Sequence, residues 1–266
     1  MHSRISKFHW FLSQQVGLDA ARLLRFFRAL PWYYRDLSKF KQKYKGRLAL
    51  LPCLHDRREQ SGAASSEYFV QDLRVAQKIF RAQPQRHLDI GSRLDGFVAH
   101  LASFREVTVA DIRPNHAQIA NIRFVQANLM CPAPEMIEGF DSVSCLHTLE
   151  HFGLGRYGDP IDALGYVHGL GNIARLVGHG GTLHLSVPIG IERVEFNAHR
   201  IFDPFDIIKV ASECGLDLRG LDIVTAKGEL QAWDGGTEWL EELSRTPYSL
   251  GIFDFRKKMA AAPVQF

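Results

Sequence analysis

His87-Leu88-Asp89-Ile90-Gly91-Ser92-Arg93-Leu94-Asp95-Gly96 is the stretch on which the reading of this chain turns. A short apolar strand runs into an acid and two small residues, and an amphipathic segment, 97–102, follows. Strand, acid, glycine turn and helix are the parts with which a doubly wound α/β fold cradles a nucleotide-like ligand. The small residues let the backbone come close to the ligand, and the helix start presents unpaired N–H groups. Counted from Gly91, the dinucleotide pattern G-x-G-x-x-G requires glycine at 91, 93 and 96, and Arg93 fills the second place. A side chain there crowds a pyrophosphate, so a ligand without phosphates suits the turn better. The guanidinium could instead pair with phosphate, which leaves the dinucleotide open at this point.

Outward from this turn, strands and helices alternate. Residues 68–82 carry Phe69, Val70, Leu73, Ala76, Ile79 and Phe80 at helical spacing, and Pro84 ends the pattern. Further strands are expected at 107–110 (closing with Asp111), 121–126, 140–146 and 182–187, the last stopped by Pro188. Helices are expected at 166–177 and 203–214, with Gly215 as a C-terminal cap. Two late strands, 216–225 and 249–255, lack a strong helical pattern between them, which suits an antiparallel final strand at one edge. Five alternating strands plus these two predict an α/β fold: a doubly wound, seven-stranded, mostly parallel sheet with helices on both faces. The domain is expected to span 67–266, behind a basic, largely helical extension at 1–66 whose loosest part is 56–66.

Composition agrees with an ordinary globular chain: 266 residues, 46% hydrophobic, 23% charged. The net charge of +3 conceals an asymmetry. Residues 1–47 hold eleven Lys or Arg against two Asp (+9), leaving 21 basic and 27 acidic residues (−6) elsewhere. Cys53, Cys131, Cys145 and Cys214 form no C-x-x-C pair, and apolar contexts around three of them predict buried free thiols rather than disulfides or a metal site. No apolar run is long enough to span a bilayer, and no signal-peptide pattern opens the chain, so a reducing, cytoplasmic setting is expected.

In a doubly wound sheet, ligands lie beyond the carboxyl ends of the strands. There the chain places Asp89, Gly91, Ser92 and Arg93 after the first strand and Asp111 with Ile112 after the second. Asn128 with Leu129 follows the third, and His147-Thr148-Leu149-Glu150-His151 the fourth. Asp111 stands about twenty residues beyond the first acid, the spacing at which a carboxylate meets ribose hydroxyls. The amide of Asn128 beside Leu129 suits the edge and face of adenine.

These strand ends resemble those of the class I S-adenosylmethionine (SAM)-dependent methyltransferases, over about residues 68–256. The resemblance implies a Rossmann-like methyltransferase fold and SAM as cofactor. The first turn would hold the methionine end, Asp111 the ribose, Asn128 the adenine, and His147 would pack on the cofactor. The sequences 69–73, 89–93 and 152–160 look more narrowly like a branch associated with bacterial cell-surface polysaccharide synthesis. That implies O-methylation of a sugar or glycolipid acceptor. The family's loop places glycines two, four and six residues after the strand-one acid; here only Gly91 fits, and Arg93 and Asp95 replace the others. A methyltransferase-like scaffold without catalysis, docked to a polysaccharide assembly complex, is therefore the alternative.

Transfer to a hydroxyl needs a base of near-neutral pKa, and His151 and His199 are the candidates, with Glu150 beside the first. Arg156, Tyr157 and Asp159, in the glycine-rich loop 153–160, and Arg200 offer themselves to an acceptor. The H-x-x-E-H spacing of 147–151 also fits a zinc-protease helix, but a buried strand before it and glycines after it leave little room for two turns, so no metal is expected. Asp203 and Pro204 read as an N-cap and first helical residue. In 18–44, Arg22, Arg25, Arg28 and Arg35 interleave with aromatic and aliphatic residues. Packing on the domain, an anionic membrane surface and nucleic acid all fit that pattern. The polysaccharide association favours peripheral contact of residues 1–47 with the inner membrane face over nucleic acid.

Overall fold

The computed structural model describes residues 8, 10–59, 64, 66–131 and 139–259, and the chain divides into two units, Met1–Ala63 and Ala64–Phe266. Residues 60–63 and 65 of the segment expected to be loose, and 1–7 and 9 of the basic arm, lie outside the described residues. The first unit holds a π-turn, Leu12–Val16, and helix α1, Ala20–Lys43. Asp19 caps α1 by accepting the Arg22 N–H at 2.9 Å. A 3-10 turn, Asp56–Arg58, lies beyond it, and the Arg57 guanidinium sits 4.5 Å over the Trp32 ring and 2.9 Å from Asp36.

The second unit opens with α2, Glu67–Ala82, capped by Ser66, whose Oγ accepts the Phe69 N–H. β1, His87–Ile90, leads through a π-turn, Leu94–Val98, into α3, Ala99–Ala102. β2, Val107–Asp111, β3, Ile122–Gln126, and β4, Phe140–Leu146, follow. Then come α4, Gly165–Leu176, and β5, Val177–Ile189. A hairpin of β6, Arg193–Glu195, and β7, His199–Ile201, precedes α5, Pro204–Glu213. β8, Leu216–Val224, β9, Leu230–Ala232, α6, Thr237–Ser244, and β10, Ser249–Lys257, complete the described chain.

Eight strands make the main sheet, in the order β3-β2-β1-β4-β5-β10-β8-β9. β1 to β5 are mutually parallel, while β10 runs antiparallel to both β5 and β8. The final strand is thus inserted antiparallel between β5 and β8, in the half of the sheet that ends in β9. The eighth strand, β9, is a three-residue hairpin return from β8, too short to show in the sequence. Helix α6, between the late strands, was equally weak in pattern. The expected helical alternation fails between β2 and β3, where residues 112–121 cross without a helix. β5 also continues through Pro188, which faces Leu250 of β10. β4 has ended by then, at Leu146 opposite Ser186, so Pro188 has one neighbouring strand and its missing N–H is tolerated.

The two faces of the sheet differ. One is apolar: Leu88, Val143, Leu185, Ile223 and Phe253 form a continuous core that includes residues of α4, α5 and α6. Under α2 the alternate positions are mixed: Val107, Val109, Leu146, Val224, Leu250 and Ile252 are apolar, and His87, Asp89, Ser142, Ser144, His184, Ser186, Asp222 and Asp254 are polar. Helix α2 meets them with Gln71, Arg74 and Lys78. The Ser186 hydroxyl donates to Gln71 Oε1. Arg74 binds Asp222 at 2.8 Å, and Lys78 bridges Asp222 and Asp254 at 2.7 and 2.6 Å. α2 buries Gln71, Val75, Ala76 and Ile79, whereas Phe69, Leu73 and Phe80, which share its helical spacing, are exposed. The cysteines are free; Cys145 is buried, but Cys53 and Cys131 are exposed, contrary to the apolar contexts.

Candidate functional site

A cavity opens at the carboxyl ends of β1 to β4, lined by Ile90 and Gly91, Ala110 to Arg113, Ala127 to Met130, His147 and Thr148, and by His151, Phe152, Tyr157 and Asp159 of the following loop. Its empty space is about 520 Å³ out to the open mouth. Backbone hydrogen bonds hold the strand ends in register around it: Gly91 N–H donates to Ala110 O (2.8 Å) and Ala127 N–H to Asp111 O (2.9 Å). Gly91 has φ +72°, a conformation that disfavours a Cβ, and an added Cβ would lie 2.3 Å from Thr148 Cγ2.

Of the residues expected around the cofactor, Gly91, Asp111, Ile112, Asn128, Leu129 and His147 share this one cavity. Three others stand outside its wall. Asp89 is fully buried beneath the turn, where its carboxyl accepts Ser144 Oγ (2.6 Å), Ser92 Oγ (2.9 Å) and Ser92 N–H (3.2 Å). Burial pushes its pKa up to about 7, against the pull of the serine hydrogen bonds. Asp89 and Ser92 therefore shape the turn from below. Arg93 points to solvent and pairs with Asp95 at 2.7 Å, both largely exposed, so neither crowds the cavity. A pyrophosphate is thus not excluded by the arginine's bulk, as the sequence had suggested.

Asp111 meets the cavity through a carboxylate already held by Arg113, which donates from its backbone N–H (2.8 Å), Nε (3.0 Å) and Nη2 (2.6 Å). The Arg113 guanidinium in turn lies 4.8 Å from the Tyr157 ring, and Arg156 covers the same ring at 5.2 Å. Asn128 Oδ1 accepts the Met130 N–H at 3.0 Å, an Asx turn that fixes the side chain beside Leu129.

The segment 147–151 is not a metal-binding helix: Leu149–His151 form a single 3-10 turn. His147, at φ +49°, stacks on Tyr68 (4.5 Å between centroids) and bonds Glu150 Oε1 through Nδ1 at 2.9 Å. Burial opposes charge on both, yet their mutual attraction prevails, raising the imidazole pKa and lowering that of the carboxyl. Glu150 thus serves His147 rather than an acceptor. His147 Nε2 lacks a hydrogen bond, with Glu67 Oε1 3.7 Å away. Tyr248 donates to Glu67 at 2.8 Å, and burial with the nearby Glu150 charge pushes the Tyr68 hydroxyl up to about 12.

His151 Nδ1 bonds the Ala198 carbonyl at 2.7 Å, which assigns the proton to Nδ1 and leaves the Nε2 lone pair free. Burial, aided by Arg156, lowers its pKa below the usual histidine value, despite Glu150. His199, on β7, lies off the cavity wall, and burial lowers its pKa too. Arg200 departs from its expected substrate role. It is 5% exposed and donates to the carbonyls of Glu150, Phe152, Asp162 and Ala163, clamping the loop from below. Asp159 likewise ties its own loop, accepting the N–H groups of Gly153 (2.8 Å), Gly155 (3.1 Å) and Tyr157 (3.2 Å). Arg156 donates to Ala198 O at 2.8 Å, and Tyr157 stands edge-on to His151 at 5.4 Å. Arg113, Glu67, Tyr68 and Tyr248 were missed by the sequence reading. Arg113 could have been suspected two residues beyond Asp111; nothing in the spacing marks the others.

The chain is similar in structure to a Burkholderia thailandensis 1,6-didemethyltoxoflavin-N1-methyltransferase, crystallised with S-adenosylhomocysteine. The two are 17% identical, over 72% of this chain and 80% of that one, with a TM-score of 0.50. The fold is that of the class I methyltransferases. The [4+2]-cyclase SpnF (12%, 76% and 86%, TM-score 0.49) and the N-methyltransferase NodS of Bradyrhizobium japonicum, also with S-adenosylhomocysteine (13%, 72% and 88%, 0.48), are further similar structures. A family described as a Caenorhabditis protein of unknown function, DUF268, matches residues 106–214. No curated protein matches the chain.

Proposed function

We propose that the cavity binds SAM and that the chain is a methyltransferase acting on an oxygen of a sugar or glycolipid acceptor in cell-surface polysaccharide synthesis. One observation carries the cofactor reading: Gly91, Asp111 and Asn128-Leu129, from three successive strand ends, line a single cavity in a fold built for such a ligand. The donor set fits. Asp111 offers a carboxylate to a ribose diol, Ala127, Leu129 and Ile112 offer apolar contact to adenine, and Gly91 allows close backbone approach. When bound, SAM supplies an electrophilic methyl group.

The chain's own part is deprotonation. His151 lines the cavity, and its bond to the Ala198 carbonyl puts the ring proton on Nδ1, leaving the lone pair on Nε2, 3.8 Å from Glu150 Oε1. An acceptor hydroxyl hydrogen-bonded to Nε2 loses its proton to it as the oxygen becomes nucleophilic. Tyr157, an aromatic wall beside polar groups, supports a sugar as the body of the acceptor.

Isothermal calorimetry tests the reading. SAM and S-adenosylhomocysteine are expected to bind at micromolar concentration, with at least tenfold loss in Asp111→Ala; no heat with either ligand overturns it. Glycans from cells lacking the protein are expected to lose one methylene in mass.

A second reading, a non-catalytic scaffold in a polysaccharide assembly complex, is favoured by the Arg113 guanidinium seated on Asp111, where the ribose would bind. It predicts no binding of either ligand and no effect of His151→Ala in cells.

A further inference from the structure

Helix α1 carries an apolar stripe that its own unit leaves uncovered. Leu23, Leu24, Phe27 and Tyr34 are 59%, 50%, 58% and 60% exposed. At 3.6 residues per turn they fall on one side of the helix. Ala29, the buried residue of α1, falls on the other. Trp32 and Asp36 are also turned away from the stripe, and Arg57 covers both. The face that packs and the face that carries the stripe are therefore different. Apolar side chains of this size, contiguous and open to water, mark a contact surface.

Charge says what kind of surface they meet. α1 contains seven Lys or Arg and one Asp, and Arg35 and Arg57 already hold the Asp36 carboxylate. Arg28 and Arg35 border the stripe, with aliphatic stems long enough to lie along an apolar boundary while the guanidinium stays in water. Trp10, Phe11 and Leu18, before the helix, are exposed as well. Among the described residues no helix is long and apolar enough to cross a membrane, and a basic helix with one apolar side suits the plane of a bilayer surface.

We propose that α1 docks on an anionic phospholipid bilayer, with Leu23, Leu24, Phe27 and Tyr34 inserted at the headgroup boundary and its arginines paired with lipid phosphates. The inference stands apart from the reading of the cavity. It holds whether or not the cavity takes SAM.

The test is cosedimentation of the full chain with phosphatidylcholine vesicles, with and without phosphatidylglycerol, over a salt series. Binding is expected only to the anionic vesicles and is expected to weaken as salt rises. Arg28→Ala and Arg35→Ala should each weaken it roughly fivefold. Leu24→Ser with Phe27→Ser should weaken it more than tenfold, while the circular dichroism melt of each variant reports that the chain still folds. Equal binding to both vesicle types, or none to either, overturns the proposal. So does a dimer in sedimentation equilibrium that the Leu24→Ser/Phe27→Ser variant dissociates, since the stripe would then face a second copy. A single-stranded RNA that binds the chain when vesicles do not overturns it as well.

Discussion

Two side chains show how environment divides labour between groups that look alike in the sequence. His147 and His151 are four residues apart, but one is paired with a buried carboxylate and the other with a neutral carbonyl. Glu150 raises the pKa of the first against its burial, and burial lowers that of the second. If His151 is the base, the rate should be level above pH 7 and fall as pH drops through its lowered pKa, below the ordinary histidine value of about 6.5. A pH–rate profile with its acid limb above pH 7.5 would remove His151 from that role.

Asp89 makes a prediction about stability. Its folded pKa, about 7, lies above the unfolded value of 3.8, so the folded state binds the proton more tightly. The stabilisation is fully present below pH 3.8 and is lost as pH rises through 7. Asp89→Asn, which cannot ionise, should remove this slope, worth roughly 4 kcal/mol at most between those limits. Urea titrations of both proteins across pH 4–8 measure it, and an unchanged slope would assign the pH dependence to other groups.

The turn between β1 and α3 depends on contacts from a second element. Gly91 has a positive φ, and Thr148, just after β4, occupies the space a Cβ would need. Gly91→Ala is therefore expected to lose about 1–3 kcal/mol, part from backbone strain and part from collision. Adding Thr148→Ala removes the Cγ2 and Oγ1 that the new methyl strikes, and should restore the collision part only. Thermal melts of the two single variants and the double variant separate these contributions; strict additivity would show that the residues do not meet. The 3-10 turn at Leu149–His151 follows the same logic, since Arg200 gathers carbonyls from both ends of the loop 150–163.

Across the molecule, one sheet face is apolar, while the other meets α2 through an apolar cluster around Val75, Ala76 and Ile79 flanked by a charged network. Lys78 lies between Asp222 and Asp254, and Asp254 also accepts from His184 at 2.7 Å. Such a network is satisfied only when β5, β8, β10 and α2 are all in place. Hydrogen exchange should accordingly be slowest for amides of β4, β5 and β10, flanked on both sides, and fastest for the edge strands β3 and β9. Protection of β9 equal to that of β4 would contradict this ordering.

Strand positions, the glycine turn and the acids at strand ends were legible because they follow from local rules. Period-two apolar runs make strands, a left-handed turn selects glycine, and consecutive strand ends of a parallel sheet fall on one edge. That much brought Gly91, Asp111 and Asn128 to a common cavity. Which groups face that cavity was not legible, because it depends on partners distant in the chain. Asp89 went under the turn because Ser144, 55 residues on, offered it a hydrogen bond. Arg93 turned outward to Asp95, and Arg200 inward to loop carbonyls, each finding its partners in space. The same holds for α2, whose apolar spacing foretold a helix but not its buried side. That side was chosen by the apolar cluster beneath Val75, Ala76 and Ile79 and by the carboxylates of Asp222 and Asp254 beside it, which no local pattern in residues 67–82 could announce.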